Sequence, residues 1–136
     1  MEIIAQEKEL DEVVKVLIDK LPENRIFTFV GDLGAGKTTL IKKFCSKLGV
    51  TSEMSSPTFG LVNTYNSNNG TIYHTDWYRV NDIVELYDVG IDESLEDGIW
   101  LIEWPEIGMN LINFYYPIII EISHNDRNRK YTLNID

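Results

Sequence analysis

Ile26-Phe27-Thr28-Phe29-Val30-Gly31-Asp32-Leu33-Gly34-Ala35-Gly36-Lys37-Thr38 is the stretch on which the fold turns. Residues 26–30 are β-branched or aromatic, with apolar side chains pointing both ways, as a strand covered on both faces requires. Gly31 through Gly36 break that pattern, and Leu40, Ile41, Phe44 and Leu48 then set a helical period that Gly49 can terminate. Gly31 to Thr38 fits G-x-x-x-x-G-K-[ST] between a strand and a helix, the context that a phosphate-binding loop needs. A plain glycine turn before a helix is the alternative. Glycines let backbone N–H groups converge without Cβ obstruction, and the helix start adds its dipole, making a nest for a β-phosphate. Lys37 then supplies a point charge between the β- and γ-phosphates, and Thr38 offers its hydroxyl to magnesium. Asp32, Leu33, Gly34, Ala35, Gly36, Lys37, Thr38 and Thr39 are the expected nucleotide-binding residues.

Outward from this unit, Leu10, Val13, Val14, Leu17, Ile18 and Leu21 predict an amphipathic helix over about residues 7–21, closed by Pro22. Thr51 to Phe59 is rich in Ser, Thr and Pro and reads as an ordered loop. Leu61 to Asn66 and Thr71 to Asp76 read as strands around Ser67-Asn68-Asn69-Gly70, whose Asn-Gly step suits a hairpin. The acidic residues 82–97 predict one or two short helices, and Ile99 to Glu103 a buried strand. Pro105 can start a short helix. Pro117 to Ile122 and Lys130 to Ile135 predict a closing strand pair around a polar loop, Ser123 to Arg129. Interleaved strands and helices of this kind predict an α/β fold, a three-layer P-loop NTPase-like domain with a mixed β-sheet.

With 136 residues, 43% of them hydrophobic, the chain suits a single domain spanning residues 1–136. Apolar runs fall short of a membrane span and the first twenty residues carry acidic pairs, so neither a signal peptide nor a membrane helix is expected. One cysteine, Cys45, and two distant histidines, His74 and His124, exclude a disulfide framework and a thiolate zinc cluster. A reducing, intracellular setting follows. The excess of 22 Asp+Glu over 12 Lys+Arg, a formal charge of -10, disfavours autonomous nucleic-acid binding and serves either solubility or a basic protein partner.

Magnesium needs oxygen ligands and an attacking water needs orientation, so acids at the ends of buried strands are the next candidates. Asp76 follows Thr71-Ile72-Tyr73-His74-Thr75 and Glu103 ends Ile99-Trp100-Leu101-Ile102. Each is an apolar strand delivering a carboxylate to the ligand edge of a sheet. Spacing leaves open which acid helps hold metal and which places water; a solvated strand-end carboxylate is the alternative for both. Thr58, in Ser55-Ser56-Pro57-Thr58-Phe59, is placed to contact a γ-phosphate or a metal-bound water, the alternative being a proline turn with hydroxyl caps. Arg79 reads equally as a phosphate contact, a partner-facing residue or an ordinary surface arginine. His74 reads as a packed or hydrogen-bonded strand-end residue, and Cys45 as inert packing. Trp77, Trp100 and Trp104 are core or interface area, with Trp104 the best placed to shape a site. Arg127 and Arg129, in the last loop, are weak candidates for stacking on adenine.

Taken together, Gly31 to Thr38, Ser56-Pro57-Thr58-Phe59, His74-Thr75-Asp76-Trp77-Tyr78-Arg79 and Ile102-Glu103-Trp104-Pro105-Glu106 resemble the bacterial TsaE family, the ATPase component of tRNA threonylcarbamoyladenosine synthesis. The blocks keep the family order. The resemblance implies a cytoplasmic, slow, magnesium-dependent ATPase that docks on the TsaB-TsaD complex, meets tRNA only through that partner and has no membrane role. It supports carbamoyl transfer to adenosine 37 of tRNAs reading ANN codons. By the same resemblance Lys37 and Thr38 bind phosphates and magnesium, and Asp76 belongs to the metal and catalytic site. Glu103 promotes hydrolysis, and Thr58 responds to the γ-phosphate. Lys37, Asp76 and Glu103 are thus the expected catalytic residues, and Thr38, Asp76 and Glu103 the candidate metal ligands.

A small-molecule P-loop kinase is the first rival, weakened because Arg79 is the sole arginine between Arg25 and Arg127, too few for an arginine-bearing lid. A GTP-binding switch lacks an Asn-Lys-x-Asp element for guanine. An ATP-dependent assembly factor with negligible turnover differs from the favoured reading in rate alone.

Overall fold

In the computed structural model, which describes residues 1–6, 9–55, 57 and 61–135, the chain runs β1 (Glu2–Ala5), α1 (Asp11–Asp19), β2 (Ile26–Val30), α2 (Lys37–Lys47), β3 (Val62–Ser67), β4 (Gly70–Asp76), α3 (Val84–Asp88), α4 (Ile91–Ser94), β5 (Ile99–Glu103), α5 (Met109–Ile112), β6 (Ile118–Asn125) and β7 (Asn128–Leu133). Short 3-10 turns flank α5. The described strands make one mixed sheet in the order β1-β7-β6-β2-β5-β4-β3. β2 lies between β5 and β6 and runs parallel to both, and β4 runs parallel to β5. The C-terminal ends of β2, β4 and β5 therefore reach one edge of the sheet, where α/β folds place ligands.

Period-two alternation along the central strands sends side chains into two separate cores. Phe27, Phe29, Leu101 and Ile120 pack beneath α1 and α2, where Val13, Leu17, Leu40, Ile41 and Phe44 are fully buried. Ile26, Trp100 and Ile102 face the other way, onto Leu86 of α3, Ile91 of α4 and Ile112 of α5. The architecture is thus the predicted three-layer α/β arrangement. Phe27 and Phe44 meet edge to face with centroids 5.1 Å apart, tying α2 to β2 under the loop that joins them. Burying such a ring is worth about 2–3 kcal/mol, so this contact anchors the start of the site.

β2 and β5 form at the predicted bounds because they are buried on both faces and nothing competes with their apolar pattern. Three expectations need correction. The first helix is shorter than residues 7–21: it ends at Asp19, and Lys20 and Leu21 close it with bonds back to Leu17 and Ile18. The polar segment 123–129 is no loop; β6 runs on to Asn125 and β7 starts at Asn128, with Asp126-Arg127 as the turn and His124 paired with Arg129. Strand pairing overrides the polar composition because β6 is already held by β2. The hairpin after β3 turns through Asn68-Asn69, with Gly70 already paired to Ser67. β1, which the periodicity does not predict, is an edge strand held by β7 with Ile3 opposite Tyr131.

Candidate functional site

The loop from Gly31 to Gly36 leaves β2 at the ligand edge and enters α2 through two backbone constraints. At Gly31 the carbonyl oxygen of Ile122 on β6 lies 2.7 Å from where a Cβ would stand, so no side chain fits. Gly36, at the N-terminal end of α2, has φ +103°, in the left-handed region that glycine adopts freely. These two residues let the loop curl tightly and start the helix with Lys37, Thr38 and Thr39 in its first turn. The first N–H groups of the helix carry no partner from within it and, with the helix dipole, favour an anion.

Lys37 folds back over its own loop. Its Nζ donates to the carbonyl oxygens of Gly31 and Asp32, the latter at 3.1 Å, and stands 4.0 Å from the centre of the Trp104 ring. The side chain is buried, and burial pushes its ammonium below the usual lysine range, against the opposing pull of Glu103, Asp76, Asp32 and Glu106. Trp104, at φ +53°, follows directly on Glu103 and pairs with Tyr78 at 4.8 Å between ring centres. Trp77 and Trp100 are buried in the second core, as expected of core residues, whereas Trp104 lines the site.

Asp76 and Glu103 end β4 and β5 opposite one another in register. Glu103 is buried; its Oε1 accepts a long hydrogen bond, 3.4 Å, from the Thr38 hydroxyl, and its Oε2 lies 2.8 Å from His74 Nε2. Asp76 accepts a bond from the Tyr78 backbone N–H at 2.9 Å. Burial raises the Asp76 carboxyl above the ordinary aspartate range; the Tyr78 bond opposes the rise, Glu103 adds to it, and His74 and Lys37 oppose it. Thr38, Glu103 and Asp76 offer hard oxygen donors on two adjoining strands and the helix that faces them, a set whose chemistry fits a small divalent cation.

Lys37, Thr38, Asp76 and Glu103 are thus brought together, with the loop residues Asp32 to Gly36 beside them. Asp32, Leu33, Gly34 and Thr39 are exposed, while Ala35 is buried. Thr58 lies outside the described residues, as do Ser56 and Phe59. Arg79 is exposed. Arg127 sits on the turn, but Arg129 belongs to β7 and lies against the phosphate-binding loop: its Nε is 3.1 Å from a Cβ built at Gly36, and its Nη2 reaches the Gly34 carbonyl at 3.5 Å. Sequence reasoning placed Arg129 in a loop, and only the β6–β7 register carries it to this position. Cys45 is a buried thiol in α2, pushed up to about 12 by burial and so inert.

The family model described as "Threonylcarbamoyl adenosine biosynthesis protein TsaE" matches residues 4–132. A tRNA threonylcarbamoyladenosine biosynthesis protein TsaE of Rickettsia felis is 41% identical over 127 residues, covering 90% of this chain and 71% of that protein. The protein of the same name from Bacillus subtilis is 43% identical over 83 residues, covering 60% of this chain and 51% of its own length. The crystal structure of Bacillus subtilis YdiB is similar with a TM-score of 0.60 and 27% identity, covering 98% of this chain and 83% of that one.

Proposed function

This chain belongs to the TsaE family, a P-loop ATPase family of tRNA threonylcarbamoyladenosine biosynthesis, and from that membership we propose that it binds and slowly hydrolyses ATP with magnesium while docked on the TsaB-TsaD complex. The observation that supports the reading best is the meeting of Lys37 and Thr38, from the start of α2, with Asp76 and Glu103 at one edge of the sheet. In this proposal the complex installs the threonylcarbamoyl group on adenosine 37 of tRNAs reading ANN codons. The net charge of -10 then fits a protein that meets tRNA only through its partner. No helix among the described residues is long and apolar enough to cross a membrane, and the cytoplasm is the compartment we propose.

The polyphosphate of ATP would lie along residues 32–39, and Lys37 would exchange its bonds to the Gly31 and Asp32 carbonyls for β- and γ-phosphate oxygens. Trp104 beneath the ammonium keeps it directed at the loop through that exchange. Magnesium, held by Thr38 with Asp76 or Glu103, would supply charge neutralisation for the β- and γ-phosphates. In hydrolysis, water oxygen forms a new bond to the γ-phosphorus and the bond to the β,γ-bridging oxygen breaks, giving ADP, phosphate and a proton. Glu103 orients that water, with Asp76 completing the acidic edge, and Thr58 senses the γ-phosphate.

The test is ATP turnover and capture on immobilised TsaB-TsaD, with and without ATP and magnesium, for the natural chain and for Lys37→Ala and Glu103→Gln. The proposal expects magnesium-dependent turnover that both substitutions depress and a complex whose formation depends on nucleotide. Unchanged turnover in Lys37→Ala, a preference for GTP, or no association in any nucleotide state would overturn it.

A further inference from the structure

Glu103 touches two partners through two different oxygens, and each partner comes from a different element. Oε1 meets the Thr38 hydroxyl of α2, and Oε2 meets His74 Nε2 of β4 at the shorter distance of 2.8 Å. His74 pairs in register with Leu101, two residues before Glu103, so the imidazole reaches the carboxylate diagonally across the parallel strands on a shared face of the sheet. Where Glu103 accepts at Oε2, as it does from the Thr38 hydroxyl at Oε1, the imidazole is the donor and its proton sits on Nε2.

The imidazole is 1% exposed, and its other nitrogen, Nδ1, meets no hydrogen-bond partner among the described residues. An apolar side chain would fill this position without burying an unpartnered nitrogen. Among the described residues the ring's polar contact is with Glu103 alone.

We propose that His74 is a positioning residue of the nucleotide site: its Nε2–H fixes Oε2 of Glu103 and leaves Oε1 as the oxygen presented to Thr38 and to the phosphate side of the site. The inference rests on the ATPase reading above for its kinetic consequence, but not for the hydrogen bond itself. Without the clamp, the carboxylate can rotate about its terminal torsion and share Oε1 and Oε2 between Thr38 and other donors. An acid that must orient water or hold a cation then spends part of its time in the wrong orientation, which lowers turnover more than ATP binding.

The experiment uses the full chain and three substitutions that separate hydrogen bonding from packing. His74→Gln places an amide Nε2 at nearly the reach of the imidazole Nε2. His74→Asn reaches only as far as Nδ1, and His74→Leu has no donor. The expected result is that the glutamine variant keeps most of kcat, whereas the asparagine and leucine variants lose about 10- to 100-fold in kcat with little change in the KM for ATP. Folded asparagine and leucine variants at natural kcat would overturn the proposal. So would losses in all three that track thermal stability and raise KM in parallel.

Ring-nitrogen NMR of the natural chain decides the matter independently of turnover. With two histidines in the chain, His124→Gln assigns the signals. His74 is expected to carry its proton on Nε2, and that resonance should move in Glu103→Gln. A proton on Nδ1, or a signal indifferent to Glu103→Gln, sinks the proposal even if ATP turnover is normal. The expected NMR pattern in a chain that turns over no ATP would keep the clamp and overturn the ATPase reading instead.

Discussion

Asp76 and Glu103 stand opposite each other at the ends of two adjacent parallel strands, and the buried amine of Lys37 lies within the field of both. Burial denies the Asp76 carboxyl water and so raises it above the ordinary aspartate range, and the facing Glu103 adds a smaller push in the same direction. One ammonium does not balance two acids and the neighbouring Glu106, so the edge favours a further positive charge. Such an arrangement costs stability and is found where a site needs it.

That cost gives a stability prediction for Asp76→Asn. A carboxyl whose folded value lies above its unfolded one contributes stability that is fully present below the unfolded value, near 3.8, and is lost as pH rises through the folded value. The asparagine variant should therefore be at least as stable as the natural chain at pH 7, with the difference shrinking as the solution is acidified. Thermal unfolding midpoints from pH 4 to pH 7, without nucleotide, check this; a variant that loses ground as pH rises contradicts the raised carboxyl.

Lys37→Ala removes the charge that the phosphates would pair with. Loss of charge-assisted hydrogen bonds worth about 1.5–3 kcal/mol should weaken ATP binding by roughly 10- to 150-fold. Calorimetric titration with ATP and magnesium measures it, and circular dichroism shows whether the fold survives. A dissociation constant unchanged in a folded variant would remove Lys37 from the site.

Trp104 should report on nucleotide, because it is the tryptophan that the Lys37 ammonium covers while Trp77 and Trp100 are buried in the second core. If ATP draws the ammonium onto phosphate, Trp104 emission changes. The change should vanish in both Trp104→Phe and Lys37→Ala. An equal change in Trp104→Phe places the reporter elsewhere.

Gly36→Ala tests the loop backbone. At φ +103° an alanine costs about 1–2 kcal/mol, and its Cβ would come 3.1 Å from Arg129 Nε. A lowered thermal midpoint together with weakened ATP binding is expected. Full stability and natural affinity would show that the left-handed entry to α2 is dispensable.

The strand–glycine loop–helix unit was legible in the sequence because its constraints are local: β2 is apolar on both faces, the glycines interrupt it, and the helical period resumes at Leu40. Asp76 and Glu103 were legible for a related reason, each standing at the end of an apolar run. The segment 123–129 was not, since its polar composition reads as a loop until β2 recruits β6 and β6 recruits β7. β1 escaped notice because four residues carry too little pattern, and its partner lies more than 120 residues away in the chain.

By itself, then, the order of residues determined which groups are chemically competent: an ammonium, a threonine hydroxyl and two strand-end carboxylates, each set by a pattern within a dozen neighbours. Tertiary structure decided which of them touch. Parallel pairing of β2, β5 and β4 brings Thr38, Glu103 and His74 into one hydrogen-bonded chain, and the hairpin register lays Arg129 against Gly36. Contacts between residues tens of positions apart depend on strand order and register, which backbone hydrogen bonds and two-sided burial select for the whole sheet at once.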